Sequence, residues 1–410
     1  MTFLLLVCLI AALDVAAVWG IKKTFPKFSA RYQQGIWVVF GVQIMVSLLI
    51  VAGGYFWIGH IDNYQLMASY YQLFGFLMAV YFPKVLYALF LITDRLIALC
   101  RQRRARKQNL LPCEQRHLLA KYGLAVAVLS MLVIVWGILV GRYNYTVEPV
   151  EIFFDNLPES FEGYKIVQIS DIHAGSNSGK FGHFDKLVEM INAQSPDLIV
   201  LTGDIVNNFS EELAPLEHVF SQLQAKDGKY AVLGNHDYGG YYQWKNPADS
   251  LANHIAIKHY ISMMGFELLN NRAIVISRDS INLIALAGVE NWGILDRFPK
   301  RADIERAIQS VANIPFKILL SHDPDYWEEH IKGKIDVALT LSGHSHGMQM
   351  GIKLGQRRFG LSNIIHRYRI GLYQYNNQYL YINRGLGVVA FPGRIGMPPE
   401  ITVITLQRVK

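Results

Sequence analysis

The sequence predicts a membrane-spanning region of four helices followed by an α/β domain. The chain of 410 residues is 52% hydrophobic and only 17% charged, which excludes a disordered protein and does not fit a purely soluble one. Residues 1–145 carry 14 Lys and Arg against 4 Asp and Glu, whereas the remaining residues carry 25 against 28. Because the basic excess lies in the apolar third, it favours a membrane protein with basic loops, and we expect no nucleic-acid partner.

Four apolar stretches predict the spanning helices. A helix needs about 20 apolar residues to cross the hydrocarbon core, and stretches of this kind occur at about 1–20, 35–58, 69–93 and 122–141. The first stretch has no basic segment before it, so we interpret it as an uncleaved helix and not as a signal peptide. Pro83 predicts a kink in the third. We therefore assign residues 1–144 to the membrane and residues 145–410 to a second domain.

The loops between these helices predict the orientation of the chain. Segments 21–34 and 94–121 carry four and eight Lys and Arg residues, and segment 59–68 carries none. The positive-inside rule places both basic segments in the cytoplasm. The fourth helix then runs outward, and everything after Arg142 is expected outside the cytoplasm.

Two charged residues interrupt the predicted spans. Asp14 lies in the first and Lys84 in the third. Ionisable groups inside a membrane mark a proton or substrate path, or a polar contact between helices. We favour the polar contact and keep the proton path as the alternative.

After residue 145 the sequence alternates between short β-rich runs and amphipathic helical segments. This alternation predicts an α/β domain with buried sheets, in which ligand sites form at the carboxyl ends of strands. The predicted strands are 164–170, 198–202, 230–233, 281–287, 316–320, 337–341, 379–382 and 401–406.

Five of these strands end in side chains that can bind metal ions. A single Asp after a strand is commonly a helix cap or a turn residue, and a single His is commonly structural. Here five strands deliver oxygen and imidazole donors together, and the three cysteines, Cys8, Cys100 and Cys113, all precede residue 145. Such a donor set suits borderline or hard divalent metal ions. The donors are Asp171, His173, Asp204, Asn235, His322, His344 and His346.

The same residues form five motifs, D-x-H, G-D, G-N-H-D, S-H and G-H-x-H, in this order along the chain. Their order resembles that of the calcineurin-like metallophosphoesterases over roughly residues 150–410. The segments 157–173 and 383–406 resemble the membrane-attached bacterial branch of that family. That branch includes phosphodiesterases and a UDP-diacylglucosamine pyrophosphatase.

The resemblance implies a fold and a site. The fold would be a four-layer α-β-β-α sandwich. The site would hold two divalent metal ions, which could be Mn, Fe, Zn or Mg. One ion would be bound by Asp171, His173 and His346, the other by Asn235, His322 and His344, with Asp204 bridging the two. His236 would handle protons or the leaving group, and Asp237 would orient His236.

The chemistry of phosphoester hydrolysis requires such a set. Two metal ions lower the pKa of a bridging water and clamp the phosphoryl oxygens, while a histidine donates a proton to the leaving group. Glycines at 203, 234 and 343 let the backbone turn sharply beside the metals. Two positions depart from the commonest form of the family, Asn207 and Met348, and neither would be a ligand.

Other residues are weaker candidates for substrate binding. Arg384 and Arg394 lie in a loop rich in Gly and Pro near the end of the chain. They would either contact the substrate phosphate or form salt bridges on the loop surface. The aromatic segment 238–244 would be either a mobile lid or a packed edge.

The sequence thus predicts a membrane-anchored dinuclear-metal phosphoesterase, integral to a bacterial cytoplasmic membrane, with an extracytoplasmic catalytic domain. Its substrate would be a phosphodiester or pyrophosphate, either a phosphorylated small molecule or a lipid-linked compound. A membrane sensor or transporter with a non-catalytic phosphoesterase-like domain is the alternative from another class. A monoesterase with a tyrosine metal ligand is less favoured, because His173 occupies the D-x-H motif. The oligomeric state stays open.

Overall fold

The computed structural model describes residues 3–26, 30–57, 61–108, 117–177, 181–293, 300–355, 357–360 and 368–409. Contacts divide the chain into two compact units, described in turn. The first comprises Met1–Ile58 and Tyr70–Ile138, and the second comprises Gly59–Ser69 and Leu139–Lys410. The second unit thus begins a few residues before the predicted boundary at 145 and takes in the connection between the second and third helices.

Four long apolar helices form the first unit. Each contains a stretch long and apolar enough to cross a membrane, as the sequence predicts. The helices are α1 (Phe3–Thr24), α2 (Ala30–Trp57), α3 (Tyr64–Lys107) and α4 (Leu118–Leu139).

Helix α3 is longer than predicted. It has 44 residues, continues through Pro83 and ends at Lys107, whereas the apolar stretch ends near residue 93. The residues beyond the apolar stretch are mostly Leu, Ala, Arg, Gln and Lys, which have high helix propensity even in water. The helix therefore extends past the part that is apolar enough for a bilayer.

The two charged residues of the predicted spans contact each other inside the first unit. The Lys84 ammonium pairs with the Asp14 carboxylate and with the Gln43 amide oxygen. The Tyr81 hydroxyl donates to Asp14 Oδ2 at 2.9 Å. This is the polar contact between helices that the sequence analysis favours, and it compensates a carboxylate that is only 1% exposed.

The second unit is built from fourteen strands and four longer helices among its described residues. The helices are α5 (His183–Asn192), α6 (Glu217–Ser221), α7 (Pro247–Met263) and α8 (Ile304–Ile308). The strands are β1 (Thr146–Phe154), β2 (Lys165–Ile169), β3 (Leu198–Thr202), β4 (Lys229–Val232), β5 (Glu267–Leu268), β6 (Arg272–Ser277), β7 (Leu283–Gly288), β8 (Lys317–Leu320), β9 (Leu339–Ser342), β10 (Gly351–Leu354), β11 (Arg357–Gly360), β12 (Gly371–Tyr375), β13 (Gln378–Ile382) and β14 (Glu400–Arg408).

Twelve of the strands form two mixed sheets of six. The first sheet has the order β1-β14-β2-β3-β4-β5 and the second the order β12-β13-β9-β8-β7-β6. The central strands β2, β3 and β4 are parallel, as are β7, β8 and β9. Strands β10 and β11 form a separate antiparallel hairpin. Each sheet therefore has a parallel centre whose carboxyl ends lie at one edge.

Alternating apolar residues place the two sheets between two layers of helices. In β3, Leu198 and Val200 belong to a core shared with the second sheet, whereas Ile199 and Leu201 pack with α5, α6 and α7. In β8, Ile318 and Leu320 face the shared core, and Leu319 packs toward α8. Successive residues of a strand point to opposite faces, so each sheet has one face on the other sheet and one on helices. The predicted four-layer sandwich is confirmed.

Candidate metal centre and active site

The predicted metal-binding residues follow the carboxyl ends of five parallel strands. In the first sheet, β2 is followed by Asp171 and His173, β3 by Asp204, and β4 by Asn235. Strands β8 and β9 of the second sheet lead into His322 and into the pair His344 and His346. Residues up to 175 positions apart in the chain are thereby brought to one place.

The side chains converge in three groups that could each hold a metal ion, of which two share no residue and the third, His173, Asp204 and His236, overlaps both. The donor atoms of Asp171, His173 and His346 lie within 4.8 Å of one another, and so do those of Asp204, His322 and His344. Within the first group, His173 Nε2 lies 3.0 Å from His346 Nε2. Within the second, His322 Nε2 lies 3.2 Å from His344 Nδ1. Each pair of nitrogens therefore points at a common position.

The carboxylate of Asp204 lies between the two groups. Its Oδ2 is 3.7 Å from His173 Nε2 and 3.2 Å from His322 Nε2. Its other oxygen, Oδ1, accepts the backbone N–H of His236 at 2.9 Å. One carboxylate oxygen is thus near a histidine of each group, which is the position required of a bridging ligand.

Hydrogen bonds on the far side of the rings determine which nitrogens face the centre. His322 Nδ1 donates to the carbonyl of Thr202 at 2.7 Å, and His173 Nδ1 donates to the side-chain oxygen of Asn207 at 2.9 Å. A carbonyl oxygen only accepts, so the proton sits on Nδ1 and Nε2 carries the lone pair. Partners of this kind orient metal-binding histidines and fix their tautomers.

The charges at the centre shift the pKa values of its members in opposite directions. Burial alone would raise the pKa of Asp204, but His322 and His236 hold it well below the ordinary value. Burial alone would lower the pKa of His322, but Asp204 and Asp171 raise it to about 10. The additional proton would sit on His322 Nε2, so a proton and a metal ion compete for the same atom.

Five of the seven donor residues lie in left-handed backbone conformations that residues with side chains seldom adopt. The φ angles of Asp171, His173, Asp204, His344 and His346 lie between 45° and 72°. Left-handed backbone at non-glycine residues costs free energy and occurs mainly at functional sites. The loops are therefore shaped to aim these side chains inward.

Glycine is required beside these residues because the backbone passes close to the carboxylates. A Cβ at Gly234 would lie 2.2 Å from Asp204 Oδ1, and a Cβ at Gly343 would lie 2.4 Å from Asp171 Oδ2. A side chain at either position would occupy the space of a donor oxygen.

His236 lies against the centre with one ring nitrogen directed toward it. Its Nδ1 donates to the carbonyl of Asn207 at 2.8 Å, which leaves Nε2 as the free nitrogen. The ring stacks on Tyr241 with 4.1 Å between centroids and meets the ring of His173 edge-on at 4.7 Å. Burial lowers the pKa of His236. The stacking also places part of the aromatic segment 238–244 in the site.

The carboxylate of Asp237 contacts the backbone around the centre, and an orientation of His236 by Asp237 stays a prediction. Its carboxylate accepts the backbone N–H groups of Asp204, Ile205, Val206 and Gly234 at 2.8–3.2 Å, and it is Asn207 that holds the His236 ring. Burial, and then the charge of Asp204, raise the pKa of Asp237 to about 7. Asp237 therefore shapes the loops that carry Asp204 and Asn235.

Sequence reasoning missed the importance of the loop 207–209. Asn207 orients two histidines, His173 through its side chain and His236 through its backbone carbonyl. The buried carboxylate of Glu212 accepts four backbone N–H groups, those of Gly175 and residues 207–209, at 2.6–2.9 Å. Burial raises the pKa of Glu212 to about 7, although the hydrogen bonds from these backbone N–H groups lower it. In the sequence, Glu212 has no distinguishing signal because it lies among surface-like polar residues.

Replacing Asn207 with alanine should weaken metal binding. Loss of an outer partner of a metal-binding histidine typically lowers metal affinity by about 10–100-fold, and Asn207→Ala removes the oxygen that accepts from His173 Nδ1. Metal affinity is measured by competition with a chelator. Asn207→Asp is the matched control, since it retains an oxygen at this position. Equal affinities for the alanine variant and the wild type would show that Asn207 does not support His173.

The guanidinium of Arg384 is engaged within the protein. It pairs with Glu400 at 3.1 Å and with Glu148 at 3.2 Å, and the residue is 4% exposed. These contacts favour a salt bridge over a contact with the substrate. The pair with Glu400 is buried, whereas the pair with Glu148 reaches the surface, because the Glu148 side chain is 40% exposed.

Arg394 lies nearer the centre but is also enclosed. Its guanidinium donates to the carbonyls of Arg384, Gly387 and Met397 at 2.6–3.2 Å. One nitrogen, Nη2, lies 3.4 Å from His346 Nδ1. Because the residue is 1% exposed, these contacts favour support of the loop behind His346, and substrate binding by Arg394 stays a prediction.

Two sheets that deliver two groups of histidine and aspartate donors to one edge define a metal-dependent phosphoesterase. Sequence comparison agrees with this class. The profile described as calcineurin-like phosphoesterase matches residues 164–348. A second profile, described as the transmembrane domain of a probable calcineurin-like phosphoesterase, matches residues 1–142. The chain belongs to the calcineurin-like phosphoesterase family and is an integral membrane protein.

Three relatives illustrate the range of the family. The metallophosphoesterase YkuE of Bacillus subtilis is 31% identical over 61% of this chain and 82% of its own length. The UDP-2,3-diacylglucosamine pyrophosphatase LpxG of Chlamydia trachomatis is 31% identical over 61% of this chain and 86% of its own length. A transmembrane protein with metallophosphoesterase domain from Danio rerio is 29% identical over 68% of this chain, which spans 62% of that protein.

Family and geometry together establish the class of reaction. The chain is a phosphoric ester hydrolase that depends on divalent metal ions.

Proposed function

We propose that the protein hydrolyses a phosphodiester or pyrophosphate bond of a lipid-linked substrate with two divalent metal ions, Mn, Fe, Zn or Mg. The observation that carries the proposal is the position of Asp204, whose Oδ2 lies near one histidine of each donor group. One carboxylate between two sets of donors serves two ions, whereas a single ion would leave one set without a function.

The donors fit two such ions. One ion would be held by Asp171, His173 and His346, and the other by Asn235, His322 and His344. Asp204 would hold both ions. Among the described residues, the buried Oδ1 of Asn235 has no hydrogen-bond partner, although its Nδ2 donates to the Tyr241 hydroxyl at 3.0 Å. A buried polar atom without a partner is costly, so this oxygen is suited to a cation. When bound, two divalent ions lower the pKa of water and neutralise phosphoryl charge.

His236 would supply the proton for the leaving group. The hydrogen bond from its Nδ1 to the Asn207 carbonyl fixes the ring and keeps one proton on Nδ1, so a proton for the leaving group would be taken up and donated at Nε2. Stacking on Tyr241 keeps the ring at this angle. Because burial lowers the pKa of His236, the form protonated at Nε2, which acts as the general acid, should increase as the pH falls below neutrality.

Two observations support a lipid-linked substrate. LpxG, which is 31% identical to this chain, is named for a pyrophosphatase acting on a diacylated sugar nucleotide. Within the second unit, Met67, in the first turn of α3, contacts the Asn208 amide at 3.7 Å. Asn208 follows the residue that orients His173 and His236. This contact between the loop beside the centre and the first turn of α3 supports a substrate that is presented at a membrane.

The active site would face the outside of the cytoplasmic membrane. Residues 61–69 and the chain after Leu139 belong to the same unit, and segment 59–68 contains no Lys or Arg. The basic residues lie in segments 21–34 and 94–121, which the positive-inside rule assigns to the cytoplasm. The substrate would then be a lipid-linked phosphate of the outer leaflet or the cell wall.

Hydrolysis of model esters tests the reaction. We expect the purified protein with Mn²⁺ to hydrolyse bis-p-nitrophenyl phosphate faster than p-nitrophenyl phosphate, and a chelator to abolish both reactions. The variant His344→Ala should be inactive, while His259→Ala, on the exposed side of α7, should be active. Failure of folded, metal-loaded protein to hydrolyse either ester would contradict the proposal.

A further inference from the structure

The second unit contains a pocket that is separate from the metal centre. Its volume is about 440 Å³, and its walls come from residues 209–211, from the end of the aromatic segment 238–244 and from the first half of α7. Asp62, which belongs to the same unit, completes the wall. The proposed metal ligands are not among the described residues that line it, so the proposed reaction gives this pocket no function.

Three aromatic rings meet at steep angles in the wall of this pocket. The centroids of Phe209 and Tyr242 lie 5.0 Å apart, as do those of Tyr242 and Trp244, and those of Phe209 and Trp244 lie 5.9 Å apart. The three pairs of ring planes cross at 63–87°. The rings are therefore arranged like the faces at the corner of a box and do not form a flat platform.

Hydrogen bonds hold the aromatic segment in this position. The indole Nε1 of Trp244 donates to the carbonyl of Gly239 at 2.8 Å, and the backbone N–H of Tyr241 donates to Asn208 Oδ1 at 3.1 Å. The segment is thereby fixed against the loop that contains Phe209. Ligand pockets are usually formed in advance in this way, so the three rings need no rearrangement to receive a ligand.

The rim of the pocket is acidic. Asp62, Glu211 and Asp249 contribute three carboxylates against the single ammonium group of Lys245, a net charge of −2 among the described lining residues. Glu211 is exposed and makes no hydrogen bond or ion pair with the described part of the chain. The Lys245 and Asp62 side chains are 78% and 66% exposed and lie 3.7 Å apart. An exposed pair of this kind contributes little to stability, so another cation can take the place of Lys245.

We propose that this pocket binds an organic cation with a quaternary ammonium group. The face of an aromatic ring attracts a cation, and several rings around one position form the cage that recognises quaternary ammonium ligands. The carboxylates at the rim add a Coulomb attraction that a neutral ligand does not receive. A sugar or a base stacks on one flat face, which three rings at steep angles do not offer. The ligand is therefore compact and positively charged, such as a choline group, either free or in a lipid headgroup.

Saturation-transfer NMR with choline tests the proposal. The full chain is studied at low salt in a maltoside detergent, which carries no charge, and the methyl protons of choline report contact with the protein. The comparison ligand is the neutral analogue of choline in which a carbon atom replaces the nitrogen. We expect choline to bind at least about threefold more tightly than this analogue. Equal binding of the two ligands, or no binding of choline, would overturn the proposal.

Substitutions in the pocket should change the affinity for choline in both directions. Trp244→Leu removes one ring and Glu211→Gln one charge, and each should weaken binding at least about threefold. Lys245→Gln removes the competing ammonium group and should strengthen binding. Trp292→Leu and Glu189→Gln are the matched controls, because these residues of the same unit have similar exposure and do not line the pocket. Both controls should bind choline like the wild type.

Glycerophosphocholine distinguishes the two sources of the ligand. It carries the same quaternary ammonium group on the phosphodiester of a lipid headgroup. Tighter binding of glycerophosphocholine than of choline, lost in Trp244→Leu, would identify a lipid headgroup. Tighter binding of choline would identify a free cation, because the acidic rim repels the phosphodiester.

The variants also locate the binding site. A thermal melt shows which variants are folded, and the two charge variants keep the test valid if Trp244→Leu does not fold. A folded Trp244→Leu or Glu211→Gln variant that binds choline as tightly as the wild type would show that choline binds elsewhere, and the inference would be wrong. The measurements require no turnover, so their failure leaves the proposed reaction standing.

Discussion

Replacing Asp204 with asparagine should reduce hydrolysis to the background rate. The carboxylate lies between the two donor groups, with Oδ2 near His173 and His322, and asparagine presents one neutral oxygen in its place. The loss should exceed the roughly 10–100-fold that removal of an outer partner of a metal ligand costs. The rate is measured with bis-p-nitrophenyl phosphate at saturating Mn²⁺, and metal content is measured on the same sample.

Asp197→Asn is the matched control for this experiment. Asp197 precedes β3, whereas Asp204 follows it, so the two carboxylates lie at opposite ends of one strand. Asp197 accepts the backbone N–H of Lys165 at 2.9 Å, and asparagine retains an oxygen for this bond. The control should keep its activity and metal content. An active Asp204→Asn variant with wild-type metal content would exclude a bridging role.

Replacing His236 with glutamine should slow the reaction and leave the metal ions in place. General acid catalysis by a positioned side chain contributes about 10²–10⁴-fold, and kcat should fall by this factor. The metal content should stay at the wild-type level because the proposed ligands are unchanged. A fall in metal content would contradict the proton-transfer role and indicate a metal ligand, since His236 has a donor atom within 4.8 Å of those of His173 and Asp204.

His254→Gln provides the comparison for this variant. His254 is also buried, its Nδ1 also lies near a backbone carbonyl, that of Asp237 at 3.1 Å, and its ring also stacks on a tyrosine, Tyr238. It lies outside the five motifs, so its replacement should leave kcat close to the wild-type value. Equal losses in the two variants would indicate a structural and not a catalytic role for His236.

The central strands and the donor residues could be predicted because their signals are local. Each buried strand is a short apolar run, and each is followed at once by its donor residue, as in β3 and Asp204. The convergence of these donors also follows, because parallel strands in a sheet end at the same edge. The signals that predict the four spanning helices are equally local, since about 20 consecutive apolar residues suffice to identify each helix.

The strands at the edges of the fold were not predicted because their sequence patterns are weaker. Strand β1 contains Pro149 and the charged residues Glu148 and Glu151, so it has neither the continuous apolar run nor the regular alternation that predicts a strand. As an edge strand paired only with β14, it tolerates a proline that a central strand would not. Strand β6 and the hairpin of β10 and β11 also escaped prediction.

The supporting contacts of the site could not be predicted, because they depend on tertiary structure. Asn207 meets His173 and His236 only after three strands are assembled, and no spacing in the sequence indicates this. Arg384 pairs with Glu148 and Glu400, residues that come from opposite ends of the second unit. The sequence identifies which residues carry the chemistry, whereas the structure shows which residues hold them.

The metal stoichiometry of the wild-type protein tests the account most directly. After loading with Mn²⁺ or Zn²⁺ and removal of the excess, elemental analysis should find two divalent ions per chain. The variants His346→Ala and His344→Ala should each retain fewer, since one residue comes from each donor group. A wild-type protein that retains fewer than two ions after loading, or single variants that both still retain two ions, would contradict the proposed centre.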